Sequence, residues 1–458
     1  MDLGGACVRI GQKDHDFNNL FDTGLEYNAP SRGPWNIVHT GMLIPESHQI
    51  FACAAGCLRG VILTAAEMNA MERMSWISVQ EEDMYDGTME QDIFDGSVDI
   101  IEKMIKKPKA VLLFISCIHL FAGIDFMNVI ERLNEKYKDI CFIDCYMNPT
   151  MRKSGLTPDQ LCRRQMYKPL IERALKKSME NTKKTDAGTV RAVNIIGNDR
   201  PTDESSELIK IIKSAGYVIR DISLCKSYDE FLEMSESNFN ITYTPSARPA
   251  GDGLKRAIGQ PDIYIPLSYG YKEIKNGYHK LAEKMNIMLP EDSFRDDEKK
   301  ADEALNSLRK TVGNTPVVID YTATPRPLGL ARLLLEHGFN VKYVFADVFS
   351  DEEHDDFDFL REKVPDLLLC STLNVKMRFV KSIDMADKEP NDGKILAIGQ
   401  KAAYFAGTDN FVNIVQGGGM YGFDGIVRLA GLMDEAFRVK KDRRSIIQKK
   451  GLGCESCL

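Results

Sequence analysis

No run of about 18 consecutive apolar residues occurs in this 458-residue sequence, so no stretch has the length to cross a bilayer as a helix. An excess of basic residues is missing too. The 67 Asp and Glu outnumber the 59 Lys and Arg, for a formal net charge of −8, whereas a nucleic-acid binder needs a positive footprint for the phosphates. The opening residues, MDLGGACVRIGQKDHD, lack the basic n-region and apolar core of a secretory signal. These absences predict a cytoplasmic protein with no membrane and no nucleic-acid partner. Eleven cysteines, an odd number spread over a long chain, do not suggest a disulfide framework in a reducing compartment. Packing, metal ligation or reactivity remain as their roles.

What is present is a repeated strand-then-helix pattern. WNIVHT (35–40), AVLLFISC (110–117) and ICFIDCYM (140–147) are apolar, β-branched runs of strand length. Between them, 92–107 has the 3.6-residue apolar spacing and lysine-rich end of a helix. RAVNIIGND, YVIRDIS, FNITYTPS and IYIPLSYG continue the theme, then TPVVIDYT, VKYVFAD, DLLLCS, KILAIG and VNIV. Continuous apolar strands alternating with amphipathic helices mean parallel sheets covered on both faces. The expected fold class is α/β, with three doubly wound, Rossmann-like domains and a cleft between them. The expected boundaries are 1–189, 190–312 and 313–440, with a basic tail at 441–458 that carries Cys454 and Cys457 as a C-x2-C pair.

Three cysteines stand where such sheets place ligands. In HQIFACAAGCLRG (48–60), Cys53 and Cys57 lie four apart in a turn of small residues that enters a helix. Ala and Gly56 around them leave room for a bulky inorganic group. Cys117 ends the strand AVLLFIS, at the carboxyl edge where open parallel sheets bind ligands. Three soft thiolates suit an iron–sulfur cluster or zinc. Burial as a small hydrophobe is an equally good reading of Cys117 by residue type alone. His48 and His119 lie close in sequence to these segments and are candidate proton donors, though an ordinary satisfied histidine is the commoner case. Cys141, Cys145, Cys162, Cys225 and Cys370 read as core packing, and Cys7 could fold back onto the cluster. The glycine run QGGGMYGFDG (416–425), with Gly418 and Gly419, lacks both the G-x-G-x-x-G spacing and a Walker lysine. It reads as a tight loop where backbone approaches a bulky cofactor or a neighbouring subunit.

With these segments assembled, the sequence resembles the nitrogenase component 1 family of oxidoreductases. IFACAAGCLRG is similar to that family's glycine-rich turn ending in a cluster cysteine, which matches Cys57. TMEQDIFDGSVDIIEKMI (88–105) resembles the segment that follows, and FISCIHLFAGIDF (114–126) the S-x-C-x-x-x-x-G-D-D segment, which matches Cys117. GGGMYGFDGIVRLAGLMDEAF (417–437) resembles the G-P-Y-x-G-Y-D-G loop and its helix. An earlier cluster cysteine of the family has no counterpart in 31–47, so Cys53 or a partner subunit would replace it. Thr244-Pro245 and Val412 stand where nitrogenase's catalytic subunit holds its second cofactor.

The resemblance implies a subunit of a two-component reductase. An ATP-hydrolysing iron protein would pass single electrons to a cluster of four irons or more, shared with an identical or homologous subunit. They would continue to a substrate other than dinitrogen, or to a second metallocofactor, in the cleft. A metal-cofactor assembly scaffold, and a cluster-free binding or assembly protein of the same fold, are the competing readings.

Overall fold

Runs of Val, Ile, Leu and Phe that bury both faces make the strands, and the helices between them cover the sheets. The computed structural model describes residues 5–12, 16–18, 20–21, 36–147, 155–180, 190–374, 376–377, 393–443 and 445–446. The Cys454/Cys457 pair and most of the expected tail lie outside the described residues. Within them are three sheets, as the alternating pattern predicts.

The first sheet contains β2 (Ser47–Cys53), β3 (Met74–Ser78), β4 (Ala110–Ser116) and β5 (Cys141–Met147), all parallel, in the order β3-β2-β4-β5. The second contains β6 (Ala192–Ile195), β7 (Val218–Asp221), β8 (Phe239–Thr242) and β9 (Asp262–Tyr264), parallel, in the order β7-β6-β8-β9. In the third, β10 (Pro316–Asp320), β11 (Asn340–Phe345), β12 (Leu368–Cys370), β13 (Leu396–Ile398) and β14 (Phe411–Val412) run in the order β12-β11-β10-β13-β14. Numbered from its own first strand, the third sheet reads 3-2-1-4-5 and the other two read 2-1-3-4. Both are doubly wound orders, with a switch point beside the first strand.

A short strand near the amino terminus, β1 (Cys7–Arg9), adds to the third sheet antiparallel to β12. That pairing sets Cys7 opposite Cys370, and the two form a disulfide across a Cα–Cα separation of 4.1 Å. Cys7 therefore does not fold back onto the other cysteines, and Cys370 is cross-linked as well as buried. Only a pairing between residues 363 positions apart brings them together, and no local pattern encodes that.

Residues 36–40, the described part of the expected strand 35–40, are a second difference. Ile37–Met42 is a short helix, not a strand. Its β-branched residues favour extended backbone, but tertiary packing prevails. Gly41 lies so close to β2 that a Cβ there would meet Gln49 Nε2 at 2.6 Å, and Gln49 Nε2 donates to the Val38 carbonyl at 2.7 Å. The first strand is instead β2, with Phe51 stacked on Phe114 of β4 at 4.4 Å between centroids.

Buried apolar clusters join the sheets. One runs from Ile195 and Ile241 of the second sheet to Ile319 and Ile398 of the third. Another joins Phe51 and Phe114 of the first sheet to Ile196, just after β6, and to Phe231 in the helix Tyr228–Glu233.

Candidate cysteine site at the switch point of the first sheet

Strands β2 and β4 lie side by side, and the chain leaves them in opposite directions across the sheet. This is the switch point, whose carboxyl edge is open to a ligand because the flanking crossover helices diverge. Cys53 is the last residue of β2. Cys57 is in the first turn of the helix Ala55–Glu67, and Cys117 opens the helix Cys117–Ala122 directly after β4. The register pairs Ala52 with Ile115, which brings the two strand ends level. Three cysteines thus meet at one corner of the fold.

Their electrostatics agree. Burial pushes the Cys53 thiol well up, and the neighbouring Cys57 and Cys117 push it further. Cys57 is likewise raised by burial and then by Cys117. Cys53 and Cys57 therefore resist ionisation unaided. A bound cation reverses that balance, because it stabilises the thiolates directly. Among the described residues no three His, Cys, Asp or Glu side chains are gathered into a set that could hold a metal ion. The sulfurs feel one another without forming a closed ligand set.

Two features of the surrounding backbone favour an anion. The helix Ala55–Glu67 starts at Ala54, which offers no side-chain cap. The Cys57 and Leu58 N–H groups donate to the Ala54 carbonyl, so the helix dipole, with no side chain capping it, is what this end lends to the cysteine corner. Gly56, in that same turn, has nothing within 4 Å of where a Cβ would stand.

His119 is fully buried. The Ser116 N–H donates to its Nδ1 at 3.1 Å, the role of a residue that reaches back to the N-cap. Nδ1 also lies 3.2 Å from the Ser116 carbonyl, and burial keeps the ring neutral by lowering its pKa to about 4. Nε2 itself is buried with no hydrogen-bond partner, which costs about 1–3 kcal/mol when nothing else binds there.

His48 is elsewhere. It is the second residue of β2, five positions before Cys53, which is roughly 16 Å along a strand. Its Nε2 lies 2.8 Å from Ser75 Oγ, and burial lowers its pKa to about 4. The structure removes it from the cysteine corner. Sequence proximity misled here because β2 begins at Ser47 and carries the cysteines to its far end.

The glycine run is a seam between the second and third units. A Cβ on Gly419 would strike the Pro201 carbonyl, and Asp203 N–H donates to the Gly419 carbonyl at 2.9 Å. Asp424 N–H donates to the buried Glu207 at 3.0 Å, and Tyr278 Oη donates to the same carboxylate at 2.9 Å. Gly418, at φ 59°, belongs to the same tight turn. Backbone does approach closely, as the glycines predict, but its neighbour at Gly419 is this chain's own second unit. Thr244 donates to the Gly197 carbonyl at 3.1 Å, and Val412 is buried in β14.

One buried charged group lies outside the expected site. Arg163, buried, donates through Nε to Asp159 at 3.0 Å, through Nη2 to Asp199 at 2.8 Å and through Nη1 to the Gly197 carbonyl at 2.8 Å. It pins the helix Pro158–Gln165 to the loop after β6. The i, i+4 spacing of Asp159 and Arg163 was the available signal, though Asp199 was not predictable from it.

Among the described residues no helix is long and apolar enough to cross a membrane. Comparison with known proteins gives one family model, nitrogenase component 1 type oxidoreductase, matching residues 38–435. A solved structure of nitrogenase Cp1 at pH 6.5 superposes with a TM-score of 0.61 at 14% identity, covering 91% of this chain and 93% of that one. Nitrogenase Cp1 at pH 5 gives 0.54 at 11% identity, with 94% of each chain covered. No curated protein matches by sequence.

Proposed function

The chain belongs to the nitrogenase component 1 type oxidoreductase family, and from that premise we propose that it is one subunit of a two-component reductase. It receives single electrons from an ATP-hydrolysing iron protein through an iron–sulfur cluster. It delivers them to a substrate other than dinitrogen in the cleft between its three units. The observation that carries this reading is that Cys53, Cys57 and Cys117 stand at the level carboxyl ends of β2 and β4, at the switch point of the first sheet.

The residues present fit such a cluster. Three soft sulfurs, an uncapped helix end and open space at Gly56 meet at one corner. When bound, an iron–sulfur cluster supplies one-electron storage at a potential set by burial and by hydrogen bonds to sulfur. Cys53, with no exposed surface, anchors from inside the fold, while Cys57 and Cys117 face the half-open rim. The helix Ala55–Glu67 lends its dipole to the negative charge.

The rim supports a second subunit. Leu120 and Phe121, three and four residues after Cys117, are 54% and 85% exposed. Ala55, Gly56 and Ala122 beside them are exposed as well. Apolar surface around a half-open ligand set favours completion of the site by an identical or homologous chain. The buried, spent Thr244 and the core Val412 support a substrate other than dinitrogen, since neither can ligate a second cofactor there.

The test is anaerobic reduction by an ATP-hydrolysing iron protein, followed by visible and electron paramagnetic resonance spectra. The reading expects bleaching and a reduced-cluster signal only when ATP is turned over. Equal spectra with and without ATP, in protein that does contain iron, would remove the electron-transfer role.

A further inference from the structure

The disulfide between Cys7 and Cys370 lies in the third sheet, and the cluster reading gives it no task. It joins residues directly opposite each other in the antiparallel pair of β1 and β12. Without β1, β12 would be the open edge of that sheet. The other contacts that hold β1 are few. The register covers three residues. Beyond it, Ser371 N–H donates to the Ala6 carbonyl at 2.8 Å, Ile10 N–H to the Leu367 carbonyl at 2.9 Å and Gly11 N–H to the Pro365 carbonyl at 3.0 Å. Val8 and Ile10 are buried, but the ion pair of Arg9 with Asp366 is exposed and contributes little. A strand this short, and this far in sequence from its neighbour, must offset the whole cost of being ordered there.

The two sulfurs differ in access. Cys370 is fully buried, whereas Cys7 is half-exposed, so an incoming thiolate reaches Cys7 first. Exposed disulfides are the labile ones, and buried structural ones resist reduction. The bond also stands next to a polar cluster. From Cys370 the chain runs straight into Ser371, Thr372 and Leu373, and all three donate to Asp347, at 3.0, 2.6 and 2.8 Å. Thr372 Oγ1 in turn accepts from Lys401 Nζ at 2.9 Å. These groups follow β11, β12 and β13 at their carboxyl ends, the edge where doubly wound sheets take ligands.

We propose that the Cys7–Cys370 bond is a thiol–disulfide exchange site, opened by a thiol reductant, and that β1 then leaves the edge of the third sheet. This is independent of the cluster reading. A first thiolate attacks Cys7 Sγ, the S–S bond breaks, and its electron pair leaves on Cys370, which takes up a proton. A second thiolate attacks the mixed disulfide, so that Cys7 is released as a thiol and the reductant as its own disulfide. Two electrons and two protons pass to the protein. Departure of β1 takes the Ala6 carbonyl away from Ser371 N–H, and the change thereby reaches the cluster around Asp347 and Lys401.

The full chain is oxidised with glutathione disulfide, freed of it, and treated with reduced glutathione while folded. Peptide mapping should find a glutathione adduct on Cys7 and then free thiols at both positions. Neither adduct nor new thiols in the folded protein would overturn the exchange site. Amide hydrogen exchange of residues 5–11 should quicken about tenfold or more on reduction, with the first sheet unchanged. Equal exchange in the oxidised and reduced chains would show that packing alone holds β1, and would overturn its release. Cys7→Ser should exchange like the reduced parent whatever the redox condition. Protection in that variant equal to the oxidised parent would overturn the release as well.

Discussion

Cys117→Ala and Cys57→Ala each remove one of three neighbouring sulfurs and should abolish cluster binding. Cys225 lies in the second unit, its Sγ 3.4 Å from the Asp221 carbonyl, so Cys225→Ala should keep the full iron content. Iron analysis of the three proteins, purified without oxygen, checks the assignment. Full retention in Cys117→Ala would contradict it. His48 makes a pH prediction. Its folded pKa of about 4 is depressed from the usual 6.5 by burial, so the unfolded chain binds the proton more readily between those values. Its contribution to stability is complete above about pH 6.5 and declines as pH falls towards 4, by up to roughly 3 kcal/mol. His48→Gln should flatten denaturation midpoints across that window, and an unchanged slope would contradict the sign. The positions of Cys53, Cys57 and Cys117 at strand ends and a helix start were legible at this scale because each ends an apolar run or enters a small-residue turn. The remoteness of His48 was not, because it depends on where a strand begins.

At the level of elements, the joints between units are the sensitive points. Arg163 neutralises Asp159 and Asp199 inside the protein, with Asp199 held below the usual carboxylate range by that guanidinium and by His39. Arg163→Met leaves buried carboxylates unpaired and should cost about 3–5 kcal/mol in urea unfolding. At the other joint, Gly422 has φ +70°, and a Cβ there would collide with Tyr278 Oη and Glu207 Oε2. Gly422→Ala should therefore destabilise by about 2 kcal/mol or more, and a neutral result would contradict the close packing of that loop. Most strands could be read from apolar runs. Ile37–Met42 could not, because its helix depends on Gly41 fitting against Gln49 of β2. The glycine run announced a close approach, but only the folded chain identifies Pro201 as the neighbour.

For the whole molecule, three doubly wound sheets of the expected kind position the cysteine corner beside exposed apolar surface. Disulfide pairing of Cys7 with Cys370 and the joining of β1 to the third sheet were beyond sequence reasoning, since both arise from contacts across the length of the chain. If the rim meets a second subunit, Phe121→Glu should weaken association by about tenfold or more in sedimentation at low protein concentration. Unchanged assembly would assign the interface elsewhere. The central claim is that Cys53, Cys57 and Cys117 hold a redox cluster. Iron and acid-labile sulfide content, with the visible spectrum of protein never exposed to oxygen, tests it most directly. The account predicts about four or more irons per chain for such a cluster, with broad absorbance that dithionite bleaches. Protein prepared this way with neither iron nor sulfide would contradict it.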